Sequence, residues 1–172
     1  MKRLGIPSAS MMAALLLAAP WPALAVTPTR ESDADAIVLK PLSLLKKKNM
    51  DFGTLMTSAT AGTATVNPAT GAVTTTGGVT AATSTTSAAV FVGAGSKNAP
   101  FQIRLPTAPI TLTRSGGTET MTVSNWTTDG PTTRRVAANE GFQFGIGAQL
   151  AVAANQAPGT YVGTFNVTVH YP

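Results

Sequence analysis

One histidine, seven carboxylates and no cysteine are the residues with which this chain could do acid–base, covalent or metal chemistry. The histidine is His170, two residues from the end. A Ser–His–Asp arrangement needs a buried, oriented imidazole, and the alternation described below puts His170 on the wet face of a strand. The carboxylates are Glu31, Asp33, Asp35, Asp51, Glu119, Asp129 and Glu140. Only the first three are grouped. Glycoside hydrolysis needs two carboxylates framing a pocket, and no pair stands out. Glu31, Asp33 and Asp35 have a spacing that could touch calcium, but they lack the glycine turn and distal glutamate of a calcium loop. Without thiols there is no thiol catalysis, no zinc held by thiolates and no iron–sulfur cluster. The expectation is a non-enzymatic protein with no catalytic, cofactor-binding or metal site.

The amino end has the three parts of a secretory signal peptide. Lys2 and Arg3 supply the charge, residues 11–19 (MMAALLLAA) the apolar run, and Ala23-Leu24-Ala25 the small residues at a cleavage point after Pro20 and Pro22. The apolar run is too short for a membrane span, which takes about 20 residues. Cleavage after Ala25 leaves 147 of the 172 residues and lowers the formal charge from +5 to about +3. That charge is modest and no nucleic-acid motif accompanies it. The expected location is therefore the periplasm, the cell surface or the medium, with no transmembrane segment in the mature chain.

Thr, Ala, Gly, Val and Ser dominate the remainder, and no convincing apolar period of 3.6 runs through it. It reads as all-β, in one domain over residues 37–172 preceded by a flexible terminus at 26–36. Residues 37–45 (IVLKPLSLL) contain Pro41, which cannot donate to a ladder, so they form an edge strand or two short pieces. Lys46, Lys47 and Lys48 read as a solvated turn that also guards an edge. Residues 50–56 read as a buried strand bent at Gly53. A hairpin is expected around Asn67-Pro68-Ala69-Thr70-Gly71, then a loop at 77–86. Residues 88–92 and 101–105 read as a strand pair. A second hairpin frames Ser115-Gly116-Gly117, and 125–138 reads as irregular, with Trp126 a lid on the sandwich end or a sugar platform. The triplets Asn125-Trp126-Thr127 and Asn166-Val167-Thr168 match the glycosylation pattern by chance.

The last third carries the clearest signal. Phe142, Phe144, Ile146, Leu150 and Val152 share one parity. Tyr161, Phe165, Val167, Val169 and Tyr171 share one parity across the turn at 155–159, opposite Thr160, Val162, Thr164, Asn166, Thr168 and His170. Such alternation means one buried and one wet face. Many short strands separated by turns fit an immunoglobulin-like antiparallel β-sandwich.

From Met50 onward the order of motifs resembles a secreted bacterial family known as domain of unknown function 4402. The matching pieces are Asp51-Phe52-Gly53, Ala88-Ala89-Val90-Phe91-Val92-Gly93, Ile103-Arg104-Leu105-Pro106, Met121-Thr122-Val123 and the run GIGAQLAVAANQAPGTYVGTFNVTVHY at 145–171. That resemblance implies a fold and no mechanism. The carboxyl end is also similar to pilin subunits of the chaperone–usher type, with Tyr171 penultimate and Gly159 fourteenth from the end. Two departures are the absence of a disulfide and the interruption at Pro41. What this second resemblance implies is assembly by strand addition, in which main-chain bonds give affinity and alternate side chains fill pockets. The expected assembly residues are Ile37, Leu39, Gly159, Tyr161, Phe165, Val167, Val169 and Tyr171. The expected function is an exported fimbrial or coat-like subunit that self-associates or meets a periplasmic chaperone and usher. The alternative is a self-contained secreted module binding surface glycan or another envelope component.

Overall fold

The structure is a computed structural model that describes residues 30–82 and 85–172. The signal-peptide assignment at 1–25 lies outside the described residues. Residues 30–36 belong to a separate unit, Met1–Ala36, and are exposed without regular structure. The compact unit is Ile37–Pro172.

The described residues form eleven strands and no helix: β1 Ser43–Lys48, β2 Leu55–Val66, β3 Val73–Ala81, β4 Ala89–Ala94, β5 Pro100–Arg104, β6 Ile110–Arg114, β7 Thr120–Thr128, β8 Thr133–Arg135, β9 Gly141–Val152, β10 Tyr161–Val162 and β11 Thr168–His170. All pairings are antiparallel. The larger sheet runs β1-β4-β9-β7-β6-β10, with β2 and β3 joined to it through β9; the smaller runs β11-β5-β8. The protein is an all-β antiparallel sandwich.

β9 organises it. Its first half pairs with β4 (Phe144 opposite Phe91) and its second half with β2 (Leu150 opposite Ala64). Its other edge pairs with β7. The expected parity holds: Phe144 and Ile146 are fully buried, as are Ala148, Leu150 and Val152, while Gln143 is exposed. Because β9 changes neighbours midway, it serves two cores. Phe91, Phe101, Ile103, Val136, Phe144 and Ile146 fill the space between the sheets. Ala64, Val79, Val123, Ala148, Leu150 and Val152 form a second cluster, contributed by strands of the larger sheet. Met50 and Trp126 pack against both.

Several local expectations are corrected. Residues 77–81 are not a loop, because β3 continues through Gly77 and Gly78 to pair with β2. β4 and β5 do not pair; they lie in opposite sheets, joined by the turn around Asn98. The 125–138 stretch is less irregular than its composition. Asn125 takes φ 52° at a bulge opposite β9, so β7 runs on to Thr128, and β8 follows. Trp126 therefore sits in a strand and packs into the core. Residues 50–54 are not a strand. Asp51 bridges to Ser87, and its carboxylate accepts the amide of Gly53, whose φ is 73°. Lys46, Lys47 and Lys48 end β1 and form no turn.

Candidate assembly edge

The final segment retraces the β5–β6 chain in reverse. β10 pairs with β6 (Tyr161 opposite Arg114) and β11 with β5 (Val169 opposite Ile103). It is thus not one continuous strand. Between Val162 and Thr168 it leaves the larger sheet and joins the smaller, while β5 and β6 separate through Pro106 and Pro109. Both β10 and β11 end their sheets. The outer backbone edge of the segment consequently has no strand partner among the described residues.

The alternation survives this change of sheet, but the burial is incomplete. Tyr161, Phe165, Val167, Val169 and Tyr171 are all half-buried, whereas the matching positions of β9 beyond Phe142 are sealed. Phe165 lies 4.6 Å from the ring of Trp126 and meets Phe91 edge-on at 6.4 Å. Val167 and Val169 touch the same core from its margin. On the opposite face Thr164, Asn166 and Thr168 are exposed and Val162 is 57% exposed, but His170, expected on this wet face, is half-buried next to Tyr171.

This edge differs from the others in its chemistry. β1 carries three lysines and a bulge, and β3 lies opposite a bulge in β2 and has Gly77 at φ 64°. β8, about as short as β10 and β11, carries two arginines. Bulges and charges both hinder the addition of a further strand. The β10–β11 edge has no bulge, proline or carboxylate and no lysine or arginine between residues 160 and 171.

The expected assembly residues fall into three groups. Ile37 and Leu39, with Val38, lie outside any strand, at 88%, 43% and 93% exposure. Pro41 separates them from β1, so the second half of 37–45 pairs inside its own domain, and Leu42 and Leu44 pack on its core. Phe165, Val167 and Val169 line the open side. Tyr161, Gly159 and Tyr171 have local duties. The Tyr161 hydroxyl donates to the carbonyl of Ala157 and accepts from Gln156 Nε2, both at 2.8 Å, closing the turn. Gly159 has φ 151°, and the Arg114 side chain lies across it: a Cβ there would stand 2.6 Å from Arg114 Nε. Tyr171 packs at the far end, where a Cβ on Gly95 would stand 2.7 Å from its hydroxyl.

No local sequence pattern marks the residues that hold the root of the amino-terminal segment. The amide of Lys40 donates to Ser96 Oγ at 2.6 Å, and its Nζ bonds the Glu140 carboxylate at 2.7 Å. These partners are 56 and 100 residues away, beyond any local pattern.

Two further ion pairs are present. Arg134 pairs with Asp129, and Arg114 with Glu119 at 3.2 Å. A bond to its own backbone amide, and then the Arg114 guanidinium, hold the Glu119 carboxyl below the ordinary carboxylate range. A shallow groove of about 360 Å³ runs over Gly62, Thr120, Met121, Ala151 and Gln156 and has no titratable side chain. Among the described residues no cluster of three metal-ligating side chains forms, and no helix is long and apolar enough to cross a membrane.

No curated protein and no solved structure matches the chain. A family model does match, and it spans residues 42–171, from the start of β1 through Tyr171. With the whole sandwich inside that match, the chain belongs to the family described as a domain of unknown function (DUF4402).

Proposed function

We propose that this chain is an exported, non-enzymatic structural subunit of the cell envelope, fimbrial or coat-like, that assembles by β-strand addition. The observation that carries the reading is the final segment. Its apolar side is half-covered, its outer edge is unpaired, and it carries neither the bulges nor the charged side chains of the other edges. The same chain supplies an exposed apolar stretch at Ile37, Val38 and Leu39 with no strand of its own. Adding a strand satisfies backbone donors and acceptors along the edge and covers Phe165, Val167 and Val169. Burying one exposed Ile or Leu on that side contributes about 1.5–3 kcal/mol. The partner is a second copy, with a periplasmic chaperone holding the edge before assembly. Export follows from the amino-terminal signal pattern.

The test is the state of the mature chain on unheated detergent gels. A ladder of multimers that collapses on boiling is expected, and removal of residues 30–39 abolishes it while β1 and the fold remain. A monodisperse monomer at high concentration overturns strand addition and leaves the self-contained glycan-binding module as the better account.

A further inference from the structure

Charge is divided unevenly along this chain. Ile37–Pro172 holds nine basic and four acidic side chains. All four of those acids are already engaged: Glu140 by Lys40, Glu119 by Arg114, Asp129 by Arg134, and Asp51 by the amide of Gly53. The other acids of the chain are Glu31, Asp33 and Asp35, all exposed and immediately before the apolar residues 37–39.

The cations without a carboxylate partner among the described residues include Lys46, Lys47 and Lys48, all exposed on β1. Only Lys47 has a side-chain bond, to Gln143 at 3.3 Å. β1 ends the larger sheet and β11 the smaller. Leu42 and Leu44 next to one edge, and Val167 and Val169 next to the other, border a single core. The Tyr171 hydroxyl, bonded to the carbonyl of Lys40, ties the two sides together at one end. The open side of the sandwich thus has β11 as one rim and the lysine-bearing strand as the other.

We infer that the acidic residues Glu31, Asp33 and Asp35 of one copy are held by Lys46, Lys47 and Lys48 of the copy whose edge receives its residues 37–39. This rests on the strand-addition reading and adds to it the contact that selects the incoming segment. Like charges keep one β1 from pairing with another. An acidic segment is the partner such an edge admits, because opposite charges across neighbouring strands attract.

The experiment measures self-association of the mature chain, residues 26–172, by light scattering at about 10 mM and about 1 M ionic strength, where screening lengths are roughly 30 and 3 Å. The variants are Glu31→Lys/Asp33→Lys/Asp35→Lys, Lys46→Glu/Lys47→Glu/Lys48→Glu, and the two combined. Lys46→Gln/Lys47→Gln/Lys48→Gln is the milder set should the reversed strand misfold. At low salt each reversal alone weakens association about tenfold, as expected of three exposed pairs; the combination restores it, and high salt levels the differences. Multimers that ignore both salt and charge reversal overturn this inference and leave strand addition standing. A wild-type chain that stays monomeric at both salts removes strand addition and this contact together.

Discussion

The hydroxyl of Tyr171 donates to the carbonyl of Lys40 at 2.8 Å, across 131 residues of chain, and accepts the amide of Ser96 at the same distance. The penultimate residue thereby fixes the point at which the amino-terminal segment leaves the domain. Tyr171→Phe keeps the ring and removes both bonds. The expected loss of stability is about 1–2 kcal/mol, with faster amide exchange at Lys40 and Ser96 and little change within β9. Denaturant titration and hydrogen exchange check both parts.

Phe144 and Gln143 are neighbours on opposite faces of β9. Phe144 is fully buried and stacks on Phe91 at 5.5 Å. Phe144→Ala should cost about 3–5 kcal/mol, and Gln143→Ala less than about 0.5 kcal/mol. Equal losses in urea unfolding would mean that β9 is not buried on one face.

That pair also marks how much of the fold was legible in the sequence. The parity of β9 was readable because each of its apolar positions meets a core, even though the core changes midway. The final segment was readable as an alternation but not as two strands. Residues 163–167 keep the parity of a strand while their neighbours across the ladder turn away at Pro106 and Pro109. β3 was hidden because Gly77 and Gly78 resemble a loop, yet no side chain could sit there: a Cβ on Gly78 would stand 2.1 Å from the carbonyl of Thr60. The half-buried positions Phe165, Val167 and Val169 were readable by alternation. Lys40, Ser96 and Glu140 were not, because contacts over such separations leave no periodic trace.

Gly159 and Gly116 both take positive φ, at 151° and 75°, but only Gly159 is crowded, by Arg114. Gly159→Ala should destabilise by about 1–3 kcal/mol. Gly116→Ala, with open space around it, carries only the conformational cost, about 1 kcal/mol. Thermal unfolding of the two variants compares them directly.

Glu119 titrates below the ordinary carboxylate range in the folded protein. A lowered folded value means that its contribution is complete above the unfolded value and is lost as pH falls through the folded one. Glu119→Gln should therefore flatten the acid side of the stability profile, and carbon-detected titration should place the Glu119 midpoint below the ordinary carboxylate range. A midpoint within or above that range contradicts the contact with Arg114.

Amide exchange at residues 165–170, measured in monomer and in assembled material, shows whether the outer edge of the final segment receives a strand. In the monomer the amides that point away from β5 should exchange at near-solvent rates. On assembly they should slow by orders of magnitude, together with the amides of residues 37–39, while those of β3 and β8 stay unchanged. Assembled material in which residues 165–170 exchange as fast as in the monomer would contradict the account.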